Sequence, residues 1–241
     1  MKAAPLKQTA AKLLTLLLVF GASSAALAEP YTPPAGLGAP ARRESAGTRG
    51  CVLRDPDSDA PVNLVALMPE DNVGWTTSEH PRFYWYMPFN QASFVEFTLE
   101  RPAEVGGTSE VIYQTRLEVT GEGGIMSLQI PEDENVPPLT VGDRYHWRVA
   151  VFCSPDSLEG ELQVDGWVEK QSPEASLQSA IATASDSERV GLYASNGYWF
   201  DALDQLAMLK ASDPDNSEVQ SRWEELLTSV NLAIMACQSL L

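Results

Sequence analysis

Residues 80–88 read HPRFYWYMP, with four aromatics, Phe83 to Tyr86, in an unbroken row. Side chains of a β-strand point to alternate faces. A strand here puts Phe83, Trp85 and Met87 on one face, the better candidate for a core. Arg82, Tyr84 and Tyr86 then lie on the other. Two outward tyrosines leave two readings open. They form a platform on which a sugar or a peptide stacks, or another part of the chain covers them.

The same alternation recurs along the chain. VNLVALMP (62–69), SFVEFTLERP (93–102), EVIYQTRLEV (110–119), GIMSLQIP (124–131), YHWRVAVFC (145–153) and LQVDGWVEK (162–170) are short and strand-like, with turn residues between them. In YHWRVAVFC, Tyr145, Trp147, Val149 and Val151 share a face, and His146 and Arg148 lie opposite. Seven such runs without a helical period predict an antiparallel β-sandwich of the immunoglobulin or fibronectin kind over 51–171. In LQVDGWVEK, Leu162, Val164 and Val168 look inward, which leaves Trp167 outward beside Asp165. Tyr84, Tyr86 and Trp167 are therefore the candidate binding or docking surface.

From Pro173 the period changes to that of helices. EASLQSAIATA, DSERVGLYASN, YWFDALDQLAMLKA and a fourth run from Ser217 to Leu241 make a helical region over 172–241. Asp186 or Ser187 is the expected N-cap of the second helix. NGYWFDALDQLAMLKASDPDN resembles one unit of a tetratricopeptide repeat, with Gly197, Trp199, Ala202, Leu203 and Leu206 near the usual positions. A solenoid needs about three repeats to bury its own core. A single unit must lean on the sheets, and the outward aromatics are its natural seat. The predicted class is α+β, with a small helical region packed on a sandwich.

The amino terminus carries Lys2, Lys7 and Lys12, the apolar run LLTLLLVFGA, and Ala26-Leu27-Ala28 as a small-x-small cleavage site. Basic, apolar, then small residues form a secretory signal peptide over 1–28. The apolar run is about half the ~20 residues of a membrane span. The mature chain is expected to begin at Glu29, with no membrane span, in the periplasm or outside the cell. Residues 29–50, rich in Pro, Gly and Ala, read as a disordered lead-in. Loss of the three lysines and no acid moves the formal charge from −17 to −20. Such an acidic protein is repelled by phosphate backbones, which argues against nucleic acid as a partner.

An oxidising compartment permits a disulfide among Cys51, Cys153 and Cys237. The positions favour Cys51–Cys153 with Cys237 left over. Three free thiols remain the alternative, because spacing alone does not set connectivity. Catalytic signatures are scarce. There is no G-x-S-x-G elbow, H-E-x-x-H or phosphate-binding glycine loop. His146 and Cys153 lie on opposite faces of one strand. Asp55, Asp57 and Asp59 mimic the start of a calcium loop, but Ala60 and Ala66 stand where that loop needs Gly and Glu. No cofactor or metal is implied. Carboxylate pairs for glycoside hydrolysis need closeness in space, and no particular pair stands out in the sequence.

LVALMPEDNVGWTTSEHPRFYWYMP, YHWRVAVFC, DGWVEK and LYASNGYWFDALDQL, in this order, resemble an exported, mainly cyanobacterial family known as domain of unknown function 928. The most specific parts are Thr77-Ser78-Glu79-His80-Pro81 and the set Asn196, Gly197, Trp199, Asp201, Ala202 and Leu203. The resemblance spans about residues 48 to 232. It implies export and the two-part layout, and it brings no catalytic residues. The expected function is that of an exported, non-enzymatic protein that binds another protein or a cell-envelope component. A carbohydrate-binding module that stacks sugars on Tyr84, Tyr86 or Trp167 is the alternative, and an unassigned enzyme the third reading.

Overall fold

The structure, a computed structural model, describes residues 30–45, 63–103, 107–133, 135–156 and 162–241. Cys51 and the Asp55–Asp59 turn lie outside the described residues, as do 1–29. Among the described residues, eight strands form two sheets. β1 (Val65–Ala66), β3 (Arg82–Met87) and β6 (Gly124–Gln129) make a three-stranded sheet in the order β1-β3-β6. β2 (Val73–Thr76), β4 (Phe94–Arg101), β5 (Glu110–Leu117), β7 (Arg144–Phe152) and β8 (Leu162–Lys170) make the second, in the order β2-β8-β7-β4-β5. Four helices follow: α1 (Ala175–Thr183), α2 (Asp186–Ser195), α3 (Trp199–Ser212) and α4 (Ser217–Thr228). The class is α+β, as the change of period predicts.

Aromatic rings join the two sheets. Phe83 of β3 lies 5.1 Å from Phe97 of β4 and 5.4 Å from Trp147 of β7, centroid to centroid. Trp85 stacks on Phe97 at 6.5 Å. Phe83, Trp85 and Met87 are thus the core face of the opening stretch. The other face of β3 is buried as well, with Tyr84 6 % and Tyr86 0 % exposed. Helix α3 lies over Tyr84, whose hydroxyl donates to Asp204 at 2.7 Å. Trp199 of α3 is fully buried and donates from its indole nitrogen to the Leu67 carbonyl at 2.8 Å. Helix and sheet meet closely at Gly74 of β2, where a Cβ would stand 2.9 Å from the Cβ of Trp199. Only glycine fits there.

The structure corrects four expectations. First, the sheets are not wholly antiparallel: β2 runs parallel to β8, with Val73 opposite Trp167. Side-chain alternation is the same in both pairings, so it carries no direction. β2 itself, VGWT, is a short glycine-containing strand that the alternation did not reveal.

Second, residues 30–45 are not a disordered lead-in. Tyr31 is buried with its ring edge-on to Trp199 at 5.1 Å. Thr32 donates to the Ala194 carbonyl, Ala39 to that of Asp71, and Asp165 to that of Arg42. Glu44 then forms a bridge with Val65. This strap has no internal hydrogen-bond period, so composition alone reads it as coil. Apart from the Leu37 amide, which turns back to the Pro34 carbonyl at 3.5 Å, its backbone partners lie in distant parts of the chain.

Third, the last helix stops at Thr228 instead of running to Leu241. Asn231 takes φ 59°, and the amides of Leu232 and Asn231 turn back to the carbonyls of Leu227 and Thr228 at 2.8 and 3.0 Å. This is a Schellman termination with Asn in the left-handed position. The chain beyond it crosses to the three-stranded sheet, where Leu240 bridges Ile125. Fourth, the cap of α2 is Ser185, which with Glu188 closes a reciprocal capping box.

Most sheet edges are covered by the chain itself. Glu44 lies on β1, Leu240 on β6, and the Gly197 carbonyl accepts from Trp75 of β2. β5 is the exception among the described residues. Its register against β4 slips at Ile112, since Leu99 faces Tyr113 while Glu100 faces Val111. Ile112 is therefore a bulge.

The strap is a structural member in this arrangement. Tyr31→Ala is expected to lower stability by about 3 kcal/mol, the usual cost of emptying a buried aromatic site. Urea unfolding of the protein measures it. A loss below about 0.5 kcal/mol, the range of surface substitutions, would show that the strap lies loosely.

Candidate functional site

The two most specific stretches of the sequence meet in space. Thr77–Pro81 connects β2 to β3, and Gly197–Leu203 begins α3. Gly197 has φ +84° and packs against Pro34 of the strap, a conformation that favours glycine. Two residues on, Trp199 starts α3 and fixes its depth against the sheet. Asp201 then falls in the first turn, where the helix dipole favours a carboxylate. Its two oxygens accept the Thr77 amide at 3.2 and 3.0 Å, and the Thr77 hydroxyl donates to the same group.

One turn later, Asp204 lies on the same helix face. It accepts from Tyr84 and forms an ion pair with Arg82, Nε to Oδ1 3.0 Å. Arg82 Nε lacks a well-aligned hydrogen bond, so this contact is chiefly coulombic. Burial and the neighbouring Asp204 push the Tyr84 hydroxyl well above the ordinary phenol range. It is a permanent donor.

Between these elements lies a polar cleft of about 230 Å³. The end of β2 contributes Thr76 to its lining, the loop Ser78 and His80, and β3 contributes Arg82. Gln129 and Glu132 enter from the end of β6, and Phe200, Asp201 and Asp204 from α3. The loop is held from within: the Ser78 amide donates to the Thr76 hydroxyl and the His80 amide to the Ser78 hydroxyl. The Gln129 amide donates to the His80 carbonyl. His80 Nε2 is buried without a protein partner among the described residues. Asp201 and Asp204 are engaged, while Glu132 is exposed at the mouth.

Sequence reasoning placed the candidate surface elsewhere. Tyr84 and Tyr86 are buried and give no stacking platform; they seat other parts of the chain. Trp167 is half-buried on the outer face of the five-stranded sheet. Its ring stacks on His146 at 4.5 Å, and its indole nitrogen donates to the Pro40 carbonyl at 3.2 Å. The strap, not the helices, covers it. His146 also contacts Asp165 at 2.8 Å. Cys153 is half-buried at the end of β7, and Cys237 is exposed and free. Tyr84 reaches the cleft through Asp204; Trp167 does not. The residues that make the cleft, Arg82, Gln129, Glu132, Asp201 and Asp204, were not singled out as a site. The nearest signal was that Asp201 and His80 stand in the two specific stretches.

Burial raises the Asp201 carboxyl to about 6, against the opposing pull of its hydrogen bonds from Thr77. An unfolded Asp titrates near 3.9. The group therefore favours the folded state fully below about pH 4, and that contribution is lost as pH rises through about 6. The expected loss is on the order of 3 kcal/mol. Asp71, also raised by burial, acts in the same direction. Urea midpoints of the wild type should fall between pH 4 and 6 more steeply than those of Asp201→Asn. Parallel profiles would show that Asp201 ionises freely in the fold.

Among the described residues no helix is long and apolar enough to cross a membrane. A comparison with curated proteins finds no match. The sequence profile of Domain of Unknown Function (DUF928) matches residues 44–240, which takes in both stretches that form the cleft. Spanning most of the chain, that match shows that this protein belongs to the DUF928 family.

Proposed function

We propose that this protein is an exported, non-enzymatic interaction protein of the cell envelope, which binds another protein or an envelope component at the cleft beside α3. The observation that carries this reading is the cleft itself. It is concave, polar, and built by the chain's two most specific stretches together. The groups in it with the strongest geometry, Asp201 and Asp204, are bonded to Thr77, Tyr84 and Arg82. They brace the walls rather than stand ready to move protons. Export rests on the basic, apolar and small residues of 1–28.

Two architectural readings go with it. The ring contacts between the sheets support a sandwich, and the packing of α3 between α2 and α4 supports one tetratricopeptide-like unit leaning on it. The carbohydrate reading is weaker, because two of its three stacking residues are buried.

The mature protein, immobilised and exposed to a periplasmic extract, is expected to retain a partner identifiable by mass spectrometry. A variant carrying His80→Gln and Glu132→Gln is expected to retain less of it. Equal retention would place the contact elsewhere, and no specific retention by the wild type would overturn the reading.

Export also makes a Cys51–Cys153 bond part of this proposal. Cys237 is free, which leaves the other two cysteines for one another. The bond would close a loop of about 100 residues and add a few kcal/mol of stability. Thiol titration of the denatured, unreduced protein should find one thiol, and three after reduction. Three at the outset would remove the disulfide.

A further inference from the structure

The cleft has an excess of acceptors over donors. Among the described residues its only fixed cation is Arg82, and that group is spent on Asp204 and, at 3.5 Å, on the Ser127 hydroxyl. Against it stand the carboxylates of Asp201, Asp204 and Glu132. Glu132 has no partner among the described residues. The imidazole of His80 adds an independent signal, for its Nε2 is buried in the lining and finds no hydrogen bond in the protein. A buried polar atom of this kind is costly unless something bonds it. With the proton on Nδ1, Nε2 is an acceptor.

A ligand that suits such a site brings several donors and positive charge. An anion would meet three carboxylates, and an apolar group would leave His80 Nε2 unsatisfied. The volume, about 230 Å³, admits the end of one side chain and not a folded segment. The whole chain carries a formal charge of −17, which draws basic partners toward it before contact.

We propose that the cleft is a receptor for a cationic side chain, the guanidinium of arginine or the ammonium of lysine, presented by a partner protein. This rests on the binding function proposed above and names the chemistry it recognises. Glu132 and Asp204 receive the charge, and His80 Nε2 receives one N–H. Asp201 holds the loop that carries His80 in place through Thr77.

Nuclear magnetic resonance on the mature chain tests this directly, because the protein has only two histidines. His146→Gln leaves the ring resonances of His80 alone. The probes are Nα-acetyl-arginine methylamide, Nα-acetyl-lysine methylamide and the neutral isostere Nα-acetyl-citrulline methylamide. The expected result is a saturable shift of the His80 resonances with a cationic probe and none with citrulline. Glu132→Gln should weaken the apparent affinity by up to about fivefold, as the loss of one exposed charge pair does. Glu132 lies at the exposed mouth, so this variant leaves the fold intact, which its unchanged spectrum elsewhere verifies. No saturable shift, or an equal response to citrulline, overturns the proposal. Those outcomes beside a retained partner in the extract experiment would sink the cation preference and spare the interaction reading. A shift without any retained partner would do the reverse.

Discussion

A strand buried on both faces needs two covers, and β3 is such a strand. From Phe83 to Met87 every side chain is buried. The five-stranded sheet covers Phe83, Trp85 and Met87, and α3 lies over Tyr84. Either cover alone would leave aromatic rings in water, at a cost of about 25 cal/mol for each Å² exposed. The helices are therefore not an appendage to the sheets. They are the third layer around a shared middle strand, and the strap and the C-terminal segment fasten that layer at both ends of the chain.

The cleft follows from the same arrangement. Helix α3 is seated by apolar groups, Trp199 against Leu67 and Gly74, and by Asp201 and Asp204 against the loop and β3. Both carboxylates lie on the one helix face that turns toward the end of the sheet. The loop Thr77–Pro81 connects β2 to β3 at this end, its amides held by the Thr76 and Ser78 hydroxyls, and Ser78 and His80 line the space beside α3. What remains is a hollow edged by polar groups whose positions are fixed by packing. Sites that depend on rigid elements of this sort hold their geometry better than sites built on free loops.

Much of the fold could be read from the sequence, and the omissions have physical causes. Alternation found seven strands because a half-buried strand must separate its faces, as in Tyr145, Trp147, Val149 and Val151 against His146 and Arg148. The helices were visible through Trp199, Leu203 and Leu206 at helical spacing. Alternation says nothing of strand direction, so the parallel β2–β8 pair was missed. It also assumes that one face is wet, so the aromatic row was left with a doubtful outer side. The strap escaped because its partners are remote: Tyr31 meets Trp199, and Arg42 meets Asp165. The cleft escaped for the same reason. Arg82, Glu132 and Asp204 are far apart in sequence and ordinary as residue types. Only the placement of α3 on β3 brings them to one hollow.

The bulge at Ile112 has a meaning for how the protein behaves in a crowd. Open strand edges invite the edges of other molecules, and the usual end of that is fibrous assembly. On this protein β5 is the edge left to such an encounter among the described residues. The extra residue breaks the even ladder that a foreign strand would need, and Glu110 and Arg116 set charge on either side of it. A foreign strand that met this edge would find its ladder interrupted at Ile112, because the unpaired residue breaks the even spacing that pairing requires.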